Sequence, residues 1–84
     1  MINKIKKGTF RWRKKFRYLP NRQQLIEEIG IEWLANRFYA AIWRHNATSN
    51  NLEMMRIRSH EFVFIINKSI HQYTLEIIQY EKMV

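Results

Sequence analysis

The chain has 84 residues, no cysteine, two glycines and one proline, and it carries a formal net charge of +8 at pH 7. This length corresponds to a single domain, and the lack of cysteine excludes disulfides, thiolate catalysis and cysteine-ligated metal sites. The longest apolar run, Phe62 to Ile66, has five residues, far fewer than the roughly 20 that cross a bilayer. No signal-peptide pattern follows the basic N-terminus. We therefore expect a cytoplasmic protein without a transmembrane segment.

The positive charge is concentrated at the N-terminal end of the chain. Residues 1–22 contain nine cations and no acid, whereas residues 23–84 contain six cations and seven acids. Charge blocks of this kind are typical of interaction tails. Pro20 disfavours a helical conformation at Leu19. The sequence therefore divides into a basic arm, residues 1–20, and a body, residues 21–84.

The arm combines cations with aromatic residues, a composition that suits nucleic acid. Lysine and arginine neutralise phosphates and release counterions, and aromatic rings stack on exposed bases. We predict that the cations contact phosphates and that three rings stack or wedge, the set being Lys4, Lys6, Lys7, Phe10, Arg11, Trp12, Arg13, Lys14, Lys15, Phe16 and Arg17. The alternative interpretation is that the rings pack on the body and the cations only keep the protein in solution. The alternation of rings and cations fits either a strand or a segment that becomes ordered on binding.

Residues 21–45 are predicted to form one amphipathic helix. Asn21 and Gln24 have the spacing of a capping box, in which each residue hydrogen-bonds the backbone of the other. From Leu25 to Ile42, apolar residues recur at spacings of three and four, which is the signature of a helix with one buried face.

Gly30 is the weak point of this predicted helix, because glycine inside a helix costs about 1 kcal/mol. A break or kink is therefore allowed there. A helix-turn-helix with Gly30 in its turn fits less well, because Asn36 and Arg37 occupy positions where buried apolar residues are needed. The polar run from Asn46 to Asn51 predicts a loop after the helix.

The C-terminal region, residues 52–82, allows two interpretations. As a helix, it has an apolar seam at alternating spacings of four and three, made by Val63, Ile66, Ile70, Tyr73, Ile77 and Tyr80. As a hairpin, residues 62–66 and 73–77 would be strands, and the second of these alternates cleanly between apolar and polar side chains. Asn67-Lys68 between them lacks the glycine that tight hairpin turns prefer, and we therefore favour the helix.

The predicted fold is mainly α, a hairpin of two helices at about 21–45 and 52–82 from which the basic arm projects. Two helices leave apolar surface open, which predicts that two hairpins pair in a homodimer, as in four-helix bundles. The alternative is an α+β fold in which a C-terminal β-hairpin packs against the central helix.

The sequence indicates no catalytic, cofactor or metal site. His60 and His71 would lie about 16 Å apart along a helix, so they cannot share a metal. Glu28 and Glu32 have no histidine at ligand spacing, and a solvated acidic face is the simpler interpretation. The two glycines stand alone, so there is no glycine-rich phosphate loop. We therefore predict that the protein is not an enzyme and needs no cofactor.

These features predict a small nucleic-acid-binding protein, a regulator or ribonucleoprotein component, that contacts phosphates through its arm. The alternative is a protein-interaction module, an inhibitor or adaptor that binds an acidic surface of a larger protein through aromatic interface residues. An anionic membrane surface fits less well, because the arm is short and its apolar side chains are not segregated to one face.

Overall fold

A computed structural model of the chain describes residues 10–45 and 54–80. Along the chain the elements are strand β1 (Arg11–Phe16), helices α1 (Arg22–Ile29) and α2 (Glu32–Arg44), and strands β2 (Met54–Ser59), β3 (Phe62–Lys68) and β4 (Tyr73–Gln79). The strands form one sheet in the order β1-β4-β3-β2, and each neighbouring pair is antiparallel. The described residues therefore have an α+β fold.

The mainly α fold predicted from the sequence is wrong, and the α+β alternative matches the structure. Three strands occupy the region predicted as a helix over 52–82, and the two strands of the hairpin interpretation correspond to β3 and β4. The four–three seam is a coincidence of spacing. Val63 and Ile66 lie on opposite faces of β3, because side chains alternate along a strand, and Ile70 is 90% exposed in the connection to β4.

Two turns form the hairpins without glycine. Between β2 and β3, His60 has a φ of 57°, a left-handed conformation that histidine adopts more often than most residues. Between β3 and β4, the backbone N–H and the hydroxyl of Ser69 both donate to the Gln72 carbonyl, at 2.9 and 3.1 Å. The absence of glycine near residues 67–68 therefore did not exclude a hairpin, because a longer connection makes the turn.

Part of the predicted arm belongs to the sheet instead of projecting from the body. Strand β1 pairs with β4, and Trp12 lies opposite Ile77. The pairing continues one residue further, because the Gln79 N–H donates to the Phe10 carbonyl at 3.0 Å. Residues 11–16 are therefore an edge strand. The remaining arm residues 1–9 lie outside the described residues.

Helix α1 begins as the sequence predicts, but the single helix predicted over 21–45 is divided into two. The Asn21 side chain accepts the Gln24 N–H at 2.8 Å, and the Gln24 side chain accepts the Asn21 N–H at 3.0 Å, which confirms the capping box. Gly30 then ends α1 with a φ of 80°, a left-handed conformation that glycine adopts without strain.

The two helices cover one face of the sheet. The rings of Phe38 on α2 and Phe64 on β3 stack in parallel, with centroids 4.5 Å apart. The core around them consists of Leu25, Ile29, Leu34, Ala35, Phe38, Ala41, Ile42, Ile57, Phe62, Phe64, Ile66, Leu75 and Ile77. The predicted apolar stripe of residues 25–42 supplies most of the helical part of this core. Trp33 departs from the stripe, since it is 54% exposed.

The sheet covers the apolar surface that two helices alone would leave open. The reason for expecting a homodimer therefore no longer applies, and self-association stays a prediction. Within segments 10–45 and 54–80, neither helix has the length and apolar character needed to span a membrane.

Candidate nucleic-acid interface

The sheet has a second face, which points away from the helices. The strand register places three rows of side chains across it, namely Arg11–Ile78–Val63–Arg58, Arg13–Glu76–Ile65–Arg56 and Lys15–Thr74–Asn67–Met54. We call these twelve residues the open face. Val63 illustrates the separation from the core, because it is only 7% exposed yet does not belong to the core cluster on the helix side.

Both edges of the open face are basic. Strand β1 presents Arg11, Arg13 and Lys15 along one edge, and β2 presents Arg56 and Arg58 along the other; all five side chains are exposed. Neighbouring strands lie about 4.8 Å apart, so three spacings separate the two cationic rows by roughly 14 Å. The open face therefore carries one row of positive charge at each edge, with a gap between the two rows.

The gap is lined by uncharged side chains and one acid. Ile78, Val63 and Ile65 form its apolar part, and Glu76 is the one acid among the twelve residues. At the end of β4, Tyr80 is held by a hydrogen bond from its N–H to the Glu61 carbonyl at 2.6 Å. Its 41% exposed side chain lines a shallow groove together with Val63 and the two β2 arginines.

Within the described segments, none of the five cations of the open face forms a salt bridge. The salt bridge found there joins the Lys14 Nζ to the Glu28 Oε1 at 3.0 Å, and Lys14 belongs to the helix side of the sheet. Glu76 lies opposite Arg13 in the register but forms no salt bridge in the described part of the chain. The five cations can therefore take phosphate groups as partners.

Alternation along β1 divides the predicted site residues into two groups. Arg11, Arg13 and Lys15 lie on the open face, whereas Trp12, Lys14 and Phe16 lie on the helix side. The Trp12 ring meets Phe38 edge-on with centroids 6.4 Å apart, and its Nε1–H donates to the Glu28 carbonyl at 3.2 Å. This half-buried indole attaches β1 to both helices.

The other predicted residues differ in position. Phe10 and Phe16 are half-buried and pack against the core, so all three rings predicted to stack on bases are turned toward the helix side. Arg17 is exposed in the bend after β1. Lys4, Lys6 and Lys7 lie outside the described residues. The structure thus brings three of the predicted cations together on one face of the sheet. The three predicted rings lie on the other face.

Arg56 and Arg58 belong to this surface and were missed from the sequence. The signal that could have found them is the alternation of exposed cations with Met55 and Ile57 along residues 54–59, which is typical of a strand with one buried face. Because the sequence predicts a helix over residues 52–82, it identifies no surface that the two arginines share with the arm.

The helix side of the molecule presents a different surface. Trp33 and Trp43 are exposed on α2, with the Arg37 guanidinium over the Trp33 ring at 5.3 Å and the Arg22 guanidinium over the Tyr39 ring at 5.4 Å. These arginines are already engaged with aromatic rings, whereas those of the open face have no such contact within residues 10–45 and 54–80.

Two further findings concern the class of protein. The described part of the chain contains no group of three or more side chains that could hold a metal ion. Comparison of the chain with family models, with curated proteins and with solved structures finds no match. The function is therefore inferred from the geometry and charge of the open face.

Proposed function

We propose that this protein is a small, non-enzymatic nucleic-acid-binding protein that contacts phosphates through the open face of its sheet. One observation carries the proposal. Two strands that are about 40 residues apart in sequence place five exposed cations on the same face. Lysine and arginine at this density neutralise phosphates and release the counterions that surround nucleic acid.

The position of these cations on strands favours a defined binding surface over a charged tail. Strand side chains have fixed spacing and direction, so the cations are already arranged before a ligand arrives. Phosphate contacts of this kind fix the position and register of a protein on nucleic acid. The proposal includes a role as a regulator or ribonucleoprotein component.

The half-buried rings of β1 have a supporting role in this proposal. Trp12 and Phe16 attach the edge strand to the core, and this holds Arg13 and Lys15 on the open face. Removing the whole arm would therefore remove a strand of the sheet, and point substitutions on the open face are the better test.

The test compares two variants of the full chain that each lose two positive charges. Arg56→Gln/Arg58→Gln changes the open face, and Arg22→Gln/Arg44→Gln changes exposed positions on the helix side. Affinity for fluorescently labelled DNA and RNA oligonucleotides is measured between about 50 and 200 mM salt. We expect the open-face variant to bind more weakly and, with duplex DNA, to lose about 1.8 from the slope of log affinity against log salt, since each phosphate contact contributes about 0.9.

The helix-side variant is expected to keep the slope of the unchanged protein, and circular dichroism verifies that both variants are folded. Equal effects of the two variants would show that total charge, and not the open face, determines binding. No binding of either nucleic acid at low salt would overturn the proposal and favour an acidic protein surface as the ligand.

A further inference from the structure

We infer that the ligand is a double-stranded nucleic acid whose two phosphate backbones lie along the two basic edges of the open face. This inference rests on the proposed function and specifies the class of ligand. Three properties of the open face lead to it, namely the distance between the cationic rows, the acid between them and the chemistry of the centre.

The distance between the rows fits two backbones better than one. The rows on β1 and β2 are roughly 14 Å apart, and the major groove of B-form DNA is about 12 Å wide whereas its minor groove is about 6 Å wide. Arginine and lysine side chains are long and flexible enough to make up the difference between the spacing of the rows and the width of the major groove. The wide, shallow minor groove of A-form RNA is a second groove that a sheet could lie across. A duplex thus offers one backbone to each row.

Glu76 disfavours a backbone that runs through the middle of the face. It lies between Arg13 on one side and Ile65 on the other, in the central part of the sheet. A single strand that followed the centre of the sheet would bring its phosphates close to this carboxylate, and like charges repel. With a duplex across the edges, Glu76 faces the groove, where a carboxylate can accept a hydrogen bond from the amino group of cytosine.

The centre of the open face is also the wrong chemistry for stacking. Proteins that bind single strands place aromatic rings under successive bases. None of the twelve open-face residues is aromatic, since their central positions hold Ile78, Val63, Ile65, Thr74 and Asn67 with Glu76. The rings of β1 are on the other side of the sheet. Tyr80, at the end of β4, is a single ring in the groove beside Val63 and the two β2 arginines, whereas a single strand is bound by a succession of rings. Such a centre suits contact with the edges of paired bases.

The test uses the full chain and four labelled ligands of equal length and matched sequence, namely duplex DNA, duplex RNA and the corresponding single strands. We expect at least one duplex to bind roughly tenfold more tightly than its single strands at the same salt concentration, because a single strand reaches only one cationic row. Preference for the DNA duplex indicates the major groove, and preference for the RNA duplex indicates the A-form minor groove.

A second measurement asks whether both edges hold a backbone. Arg11→Gln/Arg13→Gln on β1 and Arg56→Gln/Arg58→Gln on β2 each remove two cations, and each is expected to flatten the salt slope for the duplex by about 1.8. Arg22→Gln/Arg44→Gln is the matched control. Tighter binding of single strands, or an effect of only one edge, overturns the duplex inference and leaves the proposed function standing. Absence of binding to all four ligands overturns the proposed function itself.

Discussion

The two faces of the sheet are made by alternate residues of the same four strands, yet their chemistry is opposite. On the helix side, Phe64, Ile66, Leu75 and Ile77 are fully buried. On the open side, the edge strands carry exposed arginine and lysine. Each strand therefore packs one set of side chains against the helices and turns the other set away from them.

Strand β1 shows this division within six residues. In its sequence, Arg-Trp-Arg-Lys-Lys-Phe, rings and cations stand next to each other, and composition alone suggests that they act together. The pleat of the strand separates them, because adjacent side chains point to opposite faces. Proximity in sequence thus says little about which residues share a surface, and a one-residue shift in register would exchange the two sets.

The largest expected effect comes from substitutions at two adjacent positions of β3, Phe64→Ala and Ile65→Ala. Phe64 is fully buried and stacks on Phe38, so its loss should lower the free energy of unfolding by about 3–5 kcal/mol. Ile65 is half-buried on the open face, and its truncation should cost roughly 1 kcal/mol. Urea denaturation followed by circular dichroism measures both.

A domain of this size has a total stability of about 4–13 kcal/mol. The loss expected for Phe64→Ala equals the lower end of this range, and the variant is then unfolded if the stability of the protein is low. If Phe64→Ala is fully unfolded and Ile65→Ala is folded, the result still supports the difference between the helix side and the open face. Equal destabilisation by the two substitutions would mean that the faces are not distinguished as described.

A smaller effect on stability is expected at Trp12. A ring on the helix side of the sheet stabilises the fold, whereas a ring on the open face would contact the ligand. Trp12→Leu keeps a smaller apolar side chain at this position but removes the hydrogen bond to the Glu28 carbonyl and the edge contact with Phe38. We expect a loss of about 1–2 kcal/mol in stability and unchanged nucleic-acid affinity under conditions where the variant is folded.

The sequence interpretation of Trp12 as a stacking residue makes a different prediction for the same variant. A ring that stacks on a base contributes about 1–3 kcal/mol to binding, so its removal would weaken affinity by a corresponding factor. A loss of affinity of that size with little loss of stability would place Trp12 in the interface, in contradiction to its position on the helix side.

The parts of the fold that could be predicted are those encoded by neighbouring residues. The capping box of Asn21 and Gln24 depends on a spacing of three, and the buried stripe on α2 depends on helical periodicity. The region from Phe62 to Ile66 is different, because a short continuous apolar run fits a buried strand and a buried helix equally. It is a strand because β4 and β2 pair with it on either side, and no local pattern contains that information.

The candidate site has the same limitation. The charge block contained the cations of the β1 edge, because they lie close together in the sequence. Arg56 and Arg58 could be joined to that edge only through the pairing of β1 with β4, β4 with β3 and β3 with β2. The open face is therefore a property of the sheet order, and the second cationic edge could not be assigned to the same surface as the first before the order was known.

The smallest expected effects, and the sharpest contrast, belong to the adjacent lysines of β1. Lys14→Gln and Lys15→Gln remove the same charge one residue apart, on opposite faces of the sheet. Lys14 forms a salt bridge with Glu28 in which both side chains are 40–45% exposed, so its loss should cost at most about 1 kcal/mol and leave binding nearly unchanged. Lys15→Gln should change stability by less than about 0.5 kcal/mol but flatten the salt slope by about 0.9.

Measuring the salt dependence of both variants with the same oligonucleotide distinguishes a surface from a tail. If Lys14→Gln and Lys15→Gln reduce the slope equally, the ligand responds to the total charge of the N-terminal segment, as it would with an unstructured arm. If only Lys15→Gln reduces the slope, the phosphates lie against one face of β1. The two variants have the same net charge, the same type of substitution and nearly the same position in the sequence. A difference between them therefore comes from the face to which each side chain points, which also places Lys14, and not Lys15, in a salt bridge with Glu28.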